Sequence, residues 1–271
     1  MGYSGPIKQG RAQDWRNLMI SRFPETGLPG YWKGLEQNCA QWAEEVTVSQ
    51  LWKSAESSLP AWRTSFNSEY GGGLLSQPGL PSFVGKMADR IEEKIAIRCA
   101  GDRSLIEELY PTDCNGVPRL NDLVRTRIRC RFVEGVEFLA NKLVEHLRNH
   151  SVEPERSREG RIQGYFAQHI TFPYSLVYRV GGATSVAVVN VEVQVATELS
   201  SRVWEATHSI YEDSRSGKDD PAEWQWNPRD PRYVSRQLGH TIHLADGLLS
   251  QLRDYAETKL ASTGKGDKDD K

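Results

Sequence analysis

Cysteine is scarce in this chain: Cys39, Cys99, Cys114 and Cys130 are the only four, and no two stand at CxxC spacing. A disulfide framework is not expected from so few in 271 residues, so the sequence reads as that of a protein in a reducing cytoplasm. Net charge is nearly absent as well. Lys and Arg total 34 against 36 Asp and Glu, a formal charge of −2, which argues against bulk, sequence-independent binding to nucleic acid and leaves room for a local basic cleft. No apolar run approaches membrane-spanning length. The opening MGYSGPIKQG has no apolar core for a signal peptide, and Pro6 stands where a myristoylation site wants Ser or Thr. GxGxxG spacing is missing, so neither a dinucleotide fingerprint nor a P-loop is supported, and there is no internal repeat.

What is present is enough apolar surface to fold: 38% hydrophobic residues, with 8 Trp and 10 Tyr. Residues 12–65 carry Trp15, Trp32, Trp42, Trp52 and Trp62, read as the core of short helices punctuated by Pro24, Pro29 and Pro60. EYGGGLLSQPGLP (69–81) is a connection whose three glycines imply mobility or close backbone approach. A helix is expected over 82–98, with Phe83, Met87, Ile91 and Ile95 at four-residue spacing. From about 120 the period becomes two. Val124, Thr126, Ile128, Cys130 and Phe132 share one face, and Arg125, Arg127, Arg129 and Arg131 share the other. Residues 136–147 are again helical, 151–162 read as a charged loop, and ITFPYSLVYRV and SVAVVNVEVQV read as strands joined at Gly181-Gly182. Helices follow at LSSRVWEATHSIYED and about 231–260, and GKGDKDDK is a solvated tail. The class is therefore α/β or α+β, with a mixed sheet flanked by helices.

The stretch VNVEVQVAT is apolar at every other position, and Glu192 and Gln194 stand together on its alternate face. A carboxylate there must be paired, hydrated or bound to metal. Asp122 sits just before the arginine-studded strand. Two carboxylates on neighbouring strands, facing one side, suit a hard divalent cation. The arginines make sense beside them if polyphosphate occupies the cleft, because guanidinium pairs with phosphate oxygens in bidentate fashion. Tyr165 at the rim offers a face for a nucleobase. The plainer alternatives are a solvated arginine face, a solvated Lys86 and a structural His169; His240 and His243, spaced HxxH, suggest a metal pair only weakly.

Taken together, these motifs resemble the RelA/SpoT-type nucleotide pyrophosphokinase domain, in the form of a small stand-alone alarmone synthetase. The family's Ser-x-x-x-Lys is met by Ser82 and Lys86, and its Asp-x-x-Gly-x-Arg by Asp122 and Arg127. Its basic residue three positions before Gly-Tyr-x-x-x-His is met by Arg161, Gly164, Tyr165 and His169. Its Glu-x-Gln-x-Arg-Thr strand is met by Glu192, Gln194 and Thr197, and its Trp/His helix by Trp204 and His208. The likeness runs from about 80 to 212. It implies a nucleotidyltransferase-like sheet organised as a helical N-terminal portion (1–68), a synthetase core (69–215), a packed loop and helix (216–261) and a tail (262–271). It further implies that Asp122 and Glu192 hold Mg²⁺ and act in catalysis. Ser82, Lys86, Arg127, Arg161, Tyr165, His169 and Gln194 would bind substrate. The expected activity is transfer of pyrophosphate from ATP to the ribose 3′-hydroxyl of GDP or GTP.

Departures keep other readings open. The family's Arg-x-Lys pair before the Ser has no counterpart, since SQPGLPS holds no basic residue. The motif Gly is Arg125, the motif Arg of the last strand is Ala196, and Phe166-Ala167 follow Gly-Tyr. A non-catalytic relative that binds nucleotide or a protein partner is one alternative, and an oligomer is left open. Transfer to adenosine nucleotides or to tRNA, as a toxin, is another, although the 153–163 loop balances three Arg against three Glu and so disfavours tRNA.

Overall fold

The computed structural model describes residues 16–17, 19–21, 24–99, 105–111, 116–160, 164–180, 183–215 and 224–263. Helix α1 (Tyr31–Val48) buries Tyr31, Leu35, Asn38, Cys39, Trp42, Ala43 and Val46, a stripe of three- and four-residue steps. Helix α2 (Gln50–Tyr70) starts on Ser49, whose side chain accepts from the Trp52 amide at 3.2 Å. It continues through Pro60. The expected break there does not occur: one missing N–H is a local cost, and the buried Leu59 and Phe66 on either side hold the helix to the core.

Residues 71–83 contain no regular element apart from a bridge between Leu75 and Cys130. Gly71 and Gly72 have φ of 69° and 68°, the left-handed region that glycine enters without strain. Leu74 and Leu75 beyond them are buried, so this connection is pinned by close packing.

The helix expected over 82–98 starts later, at Ala88, and is α3 (Ala88–Cys99). The residues before it are drawn into the sheet: Val84–Gly85 (β1) pairs antiparallel with β2 (Val124–Cys130), and the Lys86 amide donates to the Leu123 carbonyl at 2.9 Å. Edge pairing therefore overrides the helical spacing of Phe83 and Met87, and Met87 is exposed. Gly85 is required by close approach, because a Cβ there would fall 2.5 Å from the Cys39 carbonyl of α1.

After the short helix α4 (Leu105–Leu109), β2 alternates strictly between buried and half-buried residues, and α5 (Val133–Asn149) packs behind it. The segment read as a charged loop forms an edge strand, β3 (Glu155–Gly160), hydrogen-bonded to β4 (Phe166–Val180). β4 and β5 (Ala183–Thr197) form a long antiparallel hairpin. The sheet order is β1-β2-β5-β4-β3, with β2 and β5 parallel and the other pairs antiparallel, so the fold is α+β with a mixed sheet. One continuous hydrophobic cluster joins α1, α2 and α5 to the rear of the sheet. Asn38 and Trp42 of α1 tie it to the hairpin: Asn38 donates to the Arg179 carbonyl and accepts its amide, both at 3.1 Å, and Trp42 Nε1 donates to the Val177 carbonyl at 2.6 Å. Cys39, Cys99 and Cys130 are free and buried; burial pushes the Cys39 thiol up to about 12, so it is an inert packing residue. No helix among the described residues is long and apolar enough to cross a membrane.

Two long helices follow among the described residues, α6 (Glu198–Arg215) and α7 (Pro231–Thr263). Helix α7 turns its polar side inward, burying Arg236, Asp246 and Ser250, while Leu244, Leu248, Leu252 and Tyr255 are exposed. Asp246 is 1% exposed; one carboxylate oxygen accepts from Thr197 and Ser200, and the other has no hydrogen-bond partner among the described residues. Burial pushes its carboxyl pKa up, against the opposing pull of those two hydroxyls and His243. A raised folded-state pKa contributes stability below the unfolded value that is lost as pH rises through the folded one. Asp246→Asn is accordingly expected to flatten the decline in melting temperature between mildly acidic and neutral pH. Parallel pH–melting curves for the two proteins would refute this assignment.

Candidate active site

The face of the sheet opposite the core lines a cleft of about 660 Å³. Register explains which side chains meet there. In the parallel β2·β5 pair Arg125 lies beside Glu192 and Arg127 beside Gln194, while in β4·β5 Thr171 lies beside Glu192 and His169 beside Gln194. Paired residues project to the same side, so the two-residue period brings these side chains onto one surface.

Glu192 is buried at 7% exposure and fully engaged. Its Oε1 lies 2.9 Å from His169 Nδ1, and its Oε2 accepts from Gln194 Nε2 at 2.7 Å. The other ring nitrogen of His169 is 3.1 Å from the Tyr165 hydroxyl. Gln194 Oε1 in turn accepts two bonds from the Arg127 guanidinium, at 3.1 and 2.9 Å. Tyr165, His169, Glu192, Gln194 and Arg127 thus form one continuous polar chain across three strands, and each member fixes its neighbour's orientation.

Asp122 enters the same cleft from the turn before β2, where the pleat does not dictate its direction. Two ammonium groups clamp it: Lys86 Nζ at 2.5 Å from one oxygen and Lys94 Nζ at 2.6 Å from the other. Burial alone would raise its pKa, but Lys94 and then Lys86 outweigh that and hold the carboxyl far below the usual carboxylate range. Lys94 is pulled the other way. Burial lowers its pKa, and Asp122 is the chief group opposing the loss of its proton.

The remaining expected residues fall as follows. Ser82 is exposed and does not line the cleft; its carbonyl accepts from Thr126 Oγ1 at 2.9 Å. Tyr165 is 6% exposed and lies within the cleft wall beneath Trp204, whose ring centroid is 4.3 Å away at an interplanar angle of 37°. Arg161 lies outside the described residues. His240 and His243 both pack on the Phe166 ring, His243 stacked at 3.8 Å. Sequence reasoning missed Lys94 as a site residue. The one available signal was the four-residue spacing of Arg90, Lys94 and Arg98, which sets three cations on one face of α3.

Among solved structures, small alarmone synthetase 1 from Bacillus subtilis superposes with a TM-score of 0.52 at 17% identity, over 85% of this chain and 100% of that one. The fold is that of the small alarmone synthetases. A GTP pyrophosphokinase family protein from Streptococcus pneumoniae superposes with a TM-score of 0.50 at 15% identity, over 86% of this chain and 97% of that one. No family model matches the sequence, and no curated protein matches it. The alarmone synthetase fold accounts for the mixed sheet and its order of elements; identities this low carry no residue roles, which rest on the geometry above.

The donor set suits magnesium. Asp122 and Glu192 supply hard carboxylate oxygens to one cleft, and Mg²⁺ is commonly held by one or two carboxylates, with water and substrate phosphates completing its shell. No cluster of three or more His, Cys, Asp or Glu able to hold a metal occurs among the described residues, so protein ligands alone would not enclose the ion. A cation at Asp122 would share that carboxylate with Lys86 and Lys94 or displace one of them.

Proposed function

We propose that the chain transfers pyrophosphate from ATP to the ribose 3′-hydroxyl of a guanosine nucleotide, GDP or GTP, in the cytoplasm. The observation that carries this reading is the convergence of Asp122 and Glu192 in one cleft that cations also line, Arg127 and Lys86 among them. Mg²⁺, held by Asp122 and Glu192, would neutralise charge on the transferred phosphates. Glu192 is the group to accept the proton of the acceptor hydroxyl. His169 and Gln194 fix its two oxygens, so that the basic lone pairs point in a constant direction. Arg127, oriented by Gln194, and Lys86, oriented by Asp122, contact phosphate oxygens. A guanine ring would stack on the aromatic pair Tyr165 and Trp204, after Trp204 moves aside or with Trp204 as the outer platform. Stacking accepts any base, so it does not by itself choose guanosine over adenosine.

The clamp of two lysines on Asp122 favours a second reading, a nucleotide-binding relative in which that carboxylate is a structural counter-ion. Incubation with γ-labelled ATP and GDP, GTP, ADP, ATP or tRNA in turn separates the two. Label is expected on GDP or GTP. Label on tRNA alone overturns the acceptor, and label nowhere, with ATP analogue binding intact, selects the non-catalytic reading.

A further inference from the structure

Six cationic side chains and four carboxylates line the main cleft, and the pairing between them is uneven. Asp122 is taken by Lys86 and Lys94, Glu93 by Arg90 at 3.0 Å, and Glu192 by His169. Arg127 is held by Gln194 and faces Glu205 at 3.7 Å. Arg129, outside the main cleft, is neutralised by Glu205 at 3.0 Å and Glu198 at 3.9 Å. Two guanidiniums in the main cleft remain: no carboxylate or acceptor pairs with Arg98 or Arg125 among the described residues.

Arg125 is the more telling of the two. It is half-buried, on the same side of the sheet as Glu192, and its guanidinium nitrogens stay open to the cleft, where a ligand can meet them. A second cavity of about 340 Å³ adjoins the main one, and the two share Arg125, Arg127, Gln194 and Trp204. Arg125 therefore stands at the junction, open to both chambers. Arg98 faces the larger chamber from the last turn of α3, one turn beyond Lys94.

We infer that Arg125, at the junction of the two chambers, and Arg98, on the α3 wall of the larger one, form a phosphoanhydride clamp, supplying the cationic contacts that residues 77–81 lack. The ligand class is a di- or triphosphate chain, which a planar guanidinium grips through two parallel N–H···O bonds. This assignment rests on the proposed function only in taking a nucleotide as the source of that chain. It divides labour within the arginine strand. Arg129 is met by two carboxylates of the protein and Arg127 is oriented toward phosphate by Gln194, whereas Arg125 is met by the ligand alone.

Calorimetric titration of the full chain with inorganic tripolyphosphate, and separately with a non-hydrolysable ATP analogue plus magnesium, tests the clamp. Arg125→Ala and Arg98→Ala should each weaken both ligands about tenfold or more, as expected for a lost charge-assisted hydrogen bond. Arg125→Lys should recover only part of the loss, because an ammonium cannot make the bidentate contact. Arg129→Ala should change affinity by less than about threefold, its charge being met by Glu198 and Glu205. Melting temperatures confirm that each variant is folded, and Arg98 lies on a different element from Arg125, so misfolding of one leaves the other decisive. Wild-type binding with undiminished affinity in both alanine variants would overturn the clamp and leave the proposed function standing. Arginine-dependent binding without any transfer would do the reverse. Absence of binding by the wild type would overturn both.

Discussion

Glu192→Gln should lower transfer of label from ATP to GDP or GTP by about 10²–10⁴-fold, the range typical for loss of a general base. The substitution keeps size and shape but removes the basic oxygen. It also turns an amide nitrogen toward either His169 Nδ1 or Gln194 Nε2, both of which now contact carboxylate oxygens. Facing Gln194 the amide loses a bond, and facing His169 it keeps one only by shifting that ring to the tautomer with Nδ1 as acceptor, so a stability decrease of at most about 1–2 kcal/mol should accompany the kinetic effect. The two effects are separable, because an initial-rate assay well below the melting temperature reads only the first. His169→Ala, which frees one Glu192 oxygen without removing it, should reduce turnover less than Glu192→Gln does. Equal turnover in Glu192→Gln and wild type would remove Glu192 from the chemistry, whatever happened to stability.

The second large effect is thermodynamic. Asp122→Asn leaves the Lys86 and Lys94 ammonium groups facing each other in a site where the three side chains are only 10%, 18% and, for Asp122, 9% exposed. Removing one partner of a buried ion cluster costs about 3–5 kcal/mol, because the remaining charges lose their compensation. For a chain of this size that corresponds to a fall in melting temperature of roughly 10 °C. Asp122 has a depressed folded-state pKa, so its contribution is fully present above the unfolded carboxyl pKa and is lost as pH falls through the folded one. The stability gap between Asp122→Asn and wild type should therefore hold from neutrality down to about pH 4 and narrow only below it. Adding Lys94→Met to Asp122→Asn should recover part of the loss, since it removes one uncompensated charge; the coupling between the two substitutions is the measure of the clamp. A single Asp122→Asn variant as stable as wild type would show that the two lysines do not hold Asp122 in solution.

Much of this architecture was written in local pattern. The alternation of Val124–Cys130 and of Val191–Thr197 requires only neighbours two residues apart, so strand identity and the facing of Arg125, Arg127, Glu192 and Gln194 could be read directly. The helical stripes of α1 and α5 were legible for the same reason, as was the order of motifs that resembles the alarmone synthetases. Failures occurred where a segment takes its hydrogen bonds from a distant partner. Glu155–Gly160 has no apolar alternation and reads as loop, yet it is an edge strand because β4 supplies its ladder and one face is open to water. Val84 and Gly85 read as helix and became strand because β2 offers an edge.

The site divides in the same way. Composition and spacing determined that carboxylates, arginines and aromatics would be available on one face of a sheet. The tertiary structure decided which of them carry free charge. Parallel pairing sets Arg125 beside Glu192, 67 residues later, and the packing of α3 brings Lys94 to Asp122, 28 residues away. Helix α6 sets Glu205 against Arg129 and Trp204 over Tyr165. Electrostatic pairing depends on distances of a few ångströms, and sequence separation carries no information on that scale.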